Sequence, residues 1–534
     1  MPRKVFHNLC IRFKGDHMFP SSRIHIETFA SVILASVTAG AVAAFYYAHF
    51  FNWPLAEEYI YISWYRIIFH EHGDLAQFLI AYQGPHPMVV VGGVAVGLLW
   101  LFGPGITVLT IANYLLMLAA ALLLAWRVSR DLHTAALRAT IWPLMVILCF
   151  HAIQTDSLLK PADLGWLIVS FLLVVNAVAM ERFNTPLAAA PGAVIGAFCF
   201  AQGSLLSLIA AMHSLLMPGT LKARTAGAAG FATMFAATAL FVIRKQFGPS
   251  DAMDAVDLRA GIVPLLVYGV DLLGSLFGTR SPALLLVLGC GLLLTAAILT
   301  LRLPRTMLPS DRIALCLMGY ALLAVGMFAA GRYRFGLPWA LARFHAAAFV
   351  APFATGLAIL AVREMDRRER IGWGALALVL ASVISALPYG FQRAGESKQQ
   401  REAAMTLSCQ GHLPPVMVRS LNGVPLEDPE VEDDLPDLRS LCGQPISNRT
   451  KAMLPVPTAF ATRIAADASA QAPLETLWLT YLHRFDLQQA MPFERPDTPQ
   501  RLLDWAREEA HAGGTFHLSL KAHQAYLRAL PAGD

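Results

Sequence analysis

The sequence predicts an α-helical polytopic membrane protein followed by a polar tail, and three observations carry that prediction. Hydrophobic residues make up 56% of the chain and charged residues only 14%, with a mean hydropathy of +0.53. A soluble protein of 534 residues could not hide that much apolar surface. Apolar runs close to bilayer length recur from Thr28 to Pro388, and from Tyr389 onward the composition is ordinary and polar. The net charge of +5 does not point to nucleic acid, because Lys and Arg lie in short clusters between the apolar runs.

Taken in order, the start, MPRKVFHNLCIRFKGDHMFPSSR, is basic and has no cleavage site directly after it, so 1–27 reads as a retained cytoplasmic tail. The clear spanning candidates are 28–50, 105–126, 138–155, 163–181, 188–201, 203–217, 226–243, 281–301, 312–330, 345–363 and 371–388. Two further runs, 87–102 and 261–278, are decided by positive charge, which accumulates on the cytoplasmic side. If 87–102 spanned, the loop from Arg127 to Arg138 would fall outside. Laid along the outer interface, as its short length and Pro85 and Pro87 allow, it puts Arg127, Arg130, Arg138, Arg182, Lys222 and Arg224 inside. Treating 261–278 as re-entrant or interfacial does the same for Arg302, Arg305, Arg312, Arg363, Arg367, Arg368 and Arg370. The reading is about eleven crossings through 28–388, a first external loop at 52–104, and an external tail at 389–534.

The tail has its own marks. Cys149, Cys199, Cys290 and Cys316 sit in apolar runs as small core residues, and Cys10 is cytoplasmic. Cys409 and Cys442 are the two cysteines of the tail, as expected for a disulfide in an oxidising compartment. That bridge would stabilise the tail by roughly 3–4 kcal/mol in the chain-entropy model. LEDPEVEDDLPDL reads as a solvated loop, and Thr498-Pro499 opens a helix that stops at Gly513-Gly514, giving a small α/β or mostly α domain. Asn448-Arg449-Thr450 matches a glycosylation acceptor, a pattern short enough to arise by chance.

Ionisable groups near membrane depth persist only if paired, wet or useful. Glu57 and Glu58 follow the first helix. As neighbours they suit a general base or a divalent cation, and equally an ordinary helix start. His70, Glu71, His72 and Asp74 read as a wet helix end. Asp156 and Asp163 lie in the second external turn with Lys160, and Asp163 alone would serve as a helix cap. Arg332, Arg334 and Arg343 stand on the external side against the charge rule. Guanidinium forks suit phosphate, with Arg244 and Lys245 adding to the rim, and headgroup anchoring beside Tyr333 and Trp339 is the alternative. His151 and His213 lie in apolar helices and read as buried, hydrogen-bonded residues.

This layout resembles the GT-C superfamily of integral-membrane glycosyltransferases, bacterial members without assigned function included. The match covers about 28–390 in order of features: the acidic Glu57-Glu58, Pro85-His86-Pro87 before a hydrophobic half-helix, an acid at Asp156 or Asp163, Gln202-Gly203-Ser204, and Asp271 to Ser275. The chain departs from the pattern by carrying Glu at both positions of the first motif, where many members have Asp. The resemblance implies an inverting transfer at the periplasmic face of a bacterial inner membrane, from a polyprenyl-phosphate-linked sugar to a glycan, lipid or protein acceptor. Glu57 or Glu58 would be the base. Arg332, Arg334, Arg343, His86, Lys160 and Arg244 would hold the donor and its phosphate, and Asp156 and Asp163 a divalent cation, Mg or Mn, if one is used. The rivals are a transporter or flippase of a lipid-linked saccharide, a polysaccharide polymerase or ligase, and a non-catalytic scaffold. A transporter should carry internal repeats around a midplane site, and no inverted repeat is visible.

Overall fold

The computed structural model describes residues 21–55, 58–73, 82–83, 86–87, 89–246, 261–333, 337, 341, 345–409 and 438–448. Among them the chain is almost wholly helical. The elements are α1 Ser21–His49, α2 Glu58–Phe69, α3 Val89–Phe102, α4 Thr107–Ser129, α5 Ala135–Cys149, α6 Thr155–Leu159, α7 Leu164–Phe183, α8 Ala190–Ala197, α9 Leu205–Leu216, α10 Leu221–Gln246, α11 Ile262–Gly274, α12 Pro282–Leu301, α13 Pro309–Arg332, α14 His345–Asp366 and α15 Arg370–Ser408. The exception is a two-residue antiparallel ladder, β1 Tyr82–Gln83 against β2 His86–Pro87. The starts and stops follow local chemistry. Proline opens α12 and α13, where a missing N–H costs nothing, and Asn184 ends α7 in the left-handed region at φ 50°.

Seven stretches among the described residues are long and apolar enough to cross a membrane: Phe29–His49, Thr107–Ser129, Ala135–Leu159, Pro161–Phe183, Pro282–Leu301, Pro309–Gly331 and Arg370–Thr406. Their outer faces show Phe29, Val37, Leu115, Leu284, Val287, Leu294 and Ile384 to the surroundings. So much exposed aliphatic surface suits lipid and would aggregate in water. The fold is that of a helical membrane protein.

Two elements differ from the sequence expectation, and a third adds a packing contact to it. The runs 188–201 and 203–217, read as two full crossings, form the short helices α8 and α9, joined at a tight corner. A Cβ on Gly203 would lie 1.7 Å from the carbonyl oxygen of Gly196, so only glycine permits this approach. The corner's Phe200 packs on Trp166 of α7, ring centroids 4.3 Å apart. The run 261–278, expected as a re-entrant or interfacial helix, contains α11, which packs antiparallel to α12. Cβ atoms on Gly274 and Gly289 would come within 2.0 Å of Leu285 O and 2.1 Å of Val270 O respectively. Small residues at both contacts let the two backbones touch. Finally, the last helix does not stop at Pro388. α15 runs on to Ser408, 39 residues in all, or about 58 Å at 1.5 Å per residue.

The bundle has two polar ends. At one, Arg363 bonds the carbonyl of Asp131 at 2.5 Å and pairs with Asp311 and Asp366 at 3.4 and 3.5 Å. Arg302 pairs with Glu369 at 3.0 Å, and Asp131 accepts from the Ser310 amide at 2.9 Å. These contacts tie together the α4–α5, α12–α13 and α14–α15 connections. The opposite end carries Glu58.

Candidate functional site

At the Glu58 end three stretches remote in sequence converge. Glu58 opens α2, and its Oε2 accepts from the Leu55 amide at 2.8 Å, which fixes the start of the helix. The turn between α5 and α7 is wound into the short α6. Asn113 of α4 holds it by donating to the carbonyls of Ser157 and Lys160 at 3.4 and 3.2 Å. Asp163 occupies the cap position of α7, buried, with no side-chain capping bond. The overshooting end of α15 lies against both, and Gly390 fits directly on Ala152 and Thr155.

That overshoot supplies the cations. Arg401 donates to both carboxylate oxygens of Glu58, at 2.6 and 2.7 Å, and to the Trp53 carbonyl at 2.5 Å. Arg401 and Glu58 are each 1% exposed. Arg393 donates through Nε to Asp156 at 2.9 Å and through Nη1 to Glu396 at 3.0 Å, and Glu396 opens toward the surroundings. Lys160 completes the group. Burial pulls its amine below the ordinary lysine range, while the nearby Asp156, Asp163 and Glu58 favour the charged form and Arg393 opposes it. Three acids and three bases therefore share one electrostatic neighbourhood.

A strap holds this arrangement from outside. Cys409, just past α15, is bonded to Cys442. The Ser447 hydroxyl donates to Glu402 at 2.7 Å, and Gln444 donates to the carbonyl of Asn52 at 3.1 Å. Asn52 in turn accepts from the Thr107 amide at 3.3 Å.

Of the residues expected from sequence, the structure brings Glu58, Asp156, Lys160 and Asp163 together. Glu57, Arg334 and Arg343 lie outside the described residues. His86, Arg244 and Arg332 fall in β2, α10 and the end of α13, their side chains outside the described set. Two roles change. Glu58, a candidate base, has both oxygens committed to Arg401, so neither faces a substrate proton in this arrangement. Asp156, a candidate metal ligand, is turned to Arg393, which occupies the position a cation would take. No group of three or more His, Cys, Asp or Glu able to hold a metal occurs among the described residues. Among the described residues the donor set does not fit a divalent cation.

Arg393 and Arg401 escape the sequence reading. Their signal is the helix-forming run QRAGESKQQREAAM directly after a span, which a boundary at Pro388 hides. The two histidines are buried with partners. His151 Nε2 lies 3.3 Å from the Ser382 hydroxyl. His213 lies between Glu181, 2.5 Å from Nε2, and Cys316, 3.2 Å from Nδ1, with Arg312 on Glu181 at 2.5 and 2.7 Å. No family model, no curated protein and no solved structure matches this chain.

Proposed function

We propose that the protein is an integral-membrane glycosyltransferase of the GT-C kind, moving a sugar from a polyprenyl-phosphate donor to a cell-envelope acceptor at its Glu58 end. In this reading the chain is held in a bacterial inner membrane by the seven long apolar helices of its described residues and the shorter apolar helices packed among them, with the tail on the periplasmic side. The carrying observation is the meeting of Glu58, Asp156, Asp163, Lys160, Arg393 and Arg401, drawn from three separate stretches, at the end away from the Arg363 network. Charged groups persist near membrane depth when they serve a site.

The roles follow from the pairing. Glu58, fixed by Arg401, is a positioning residue that holds the start of the first loop. The base is its neighbour Glu57. The acceptor oxygen attacks the anomeric carbon as its proton passes to Glu57, and the bond from that carbon to the phosphate oxygen breaks. Arg332, Arg334 and Arg343 receive the charge that grows on the departing phosphate.

Proteoliposomes loaded with a polyprenyl phosphate carrying a labelled hexose, mixed with cell-envelope extract, test this. Wild-type protein should release bare polyprenyl phosphate and label the extract, while Glu57→Gln and Arg332→Ala should lower the rate by about 100-fold or more. Equal rates in all three proteins would sink the transferase. Movement of intact lipid-linked sugar across the bilayer without its cleavage would favour a transporter.

A further inference from the structure

Most acids at membrane depth in this protein are matched. Glu58, Asp156, Glu181 and Asp311 each carry an arginine. Asp271 is different. It sits in the buried half of α11, 7% exposed, and its Oδ1 is buried with no hydrogen-bond partner. The neighbouring Val270 packs on Gly289 inside α12, so the carboxylate lies below the end of the bundle. An unmatched carboxylate at such depth is costly, and a site of this kind is kept when something else satisfies it.

The surroundings indicate what that is. Three residues before Asp271, on the same side of the helix, is Tyr268, whose ring meets Tyr333 at 5.7 Å and 70°. Tyr333 directly follows Arg332, where the basic stretch 332–343 begins. A metal ion is a poor match, since no three ligating side chains gather among the described residues. A carboxylate beside aromatic rings suits a polyol. The carboxylate oxygens accept from sugar hydroxyls, and the ring of Tyr333, half-buried beside the buried Tyr268, covers a C–H face of the sugar.

We propose that Asp271, with Tyr268 and Tyr333, forms a saccharide-binding subsite that takes the sugar of the lipid-linked donor through its hydroxyls. This rests on the transferase reading and adds which residues recognise the sugar.

The test measures binding to the full-length protein in nanodiscs, using decaprenyl phosphate bare and carrying one hexose. Wild-type protein should prefer the hexose-bearing lipid by about tenfold or more, the worth of a hydrogen bond to a charged group, and Asp271→Asn should bind both lipids alike. The proposal is overturned if the variant keeps the preference or the wild type has none. Wild-type binding of both lipids without preference would remove the subsite and leave the transferase reading standing, whereas binding of neither would remove both. Should Asp271→Asn fail to fold, wild-type protein can be labelled with dicyclohexylcarbodiimide. Modification of Asp271 that the hexose lipid blocks and the bare lipid does not supports the subsite. Equal modification in both overturns it.

Discussion

Glu58 and Arg401, 343 positions apart in the chain, face each other through two hydrogen bonds of 2.6 and 2.7 Å, with both side chains sealed from solvent. Neither could be buried alone. Removing one partner leaves a charge without compensation, at a cost of about 3–5 kcal/mol, whereas removing both together can be nearly neutral.

The first prediction is therefore a double-mutant cycle. Arg401→Met and Glu58→Gln should each lower the unfolding temperature in detergent clearly, and the double variant should fall by much less than their sum. Additive losses would show that the pair is not the unit that holds α2 to α15.

A second prediction concerns the corner between α8 and α9. Gly203→Ala would place a methyl group 1.7 Å from a backbone carbonyl, so the two helices must separate. It should cost about 2 kcal/mol or more. Gly291→Ala, in α12, meets no atom within 4 Å and should be neutral or slightly stabilising through helix propensity. Melting temperatures of the two variants, compared with wild type, decide this.

The third prediction is a pH dependence at the opposite end. Burial pushes the Asp366 carboxyl up, but hydrogen bonds from the His133 and Thr134 amides, at 2.9 and 2.8 Å, outweigh it and hold it below the usual carboxylate range. A carboxylate lowered on folding adds stability above its unfolded pKa of about 3.9, and that contribution is lost as pH falls through the folded value. Between pH 6 and pH 3 the wild type should therefore lose more of its melting temperature than Asp366→Asn. Parallel curves would remove the staple from the account.

The membrane helices are legible in sequence because each apolar run carries its own signature within about 20 residues. Glu58, Asp156 and Asp163 are legible too, since a carboxylate stands out in an apolar chain. What the acids touch is not legible. Arg393 and Arg401 lie in a stretch with the composition of any soluble helix, and a pairing across 343 positions leaves no periodic mark. The α8–α9 corner is hidden for a related reason. Hydropathy scores the apolar runs on either side of Gln202-Gly203-Ser204, while the approach of Gly203 to Gly196 depends on two residues without side chains. The close packing of α11 on α12 rests likewise on Gly274 and Gly289.

The unbroken course of α15 has a consequence for how this chain can change. Arg393 and Arg401 are aimed at their acids by the rotational phase of one continuous helix anchored at its far end near Arg370. Each residue advances that phase by about 100°. Insertion or deletion of a single residue between 371 and 388 would leave the run as apolar as before, yet it would swing both guanidinium groups away from Glu58 and Asp156. The length of this segment is thus fixed by angular register as well as by bilayer thickness, and changes of a full turn, three or four residues together, should be tolerated better than changes of one or two.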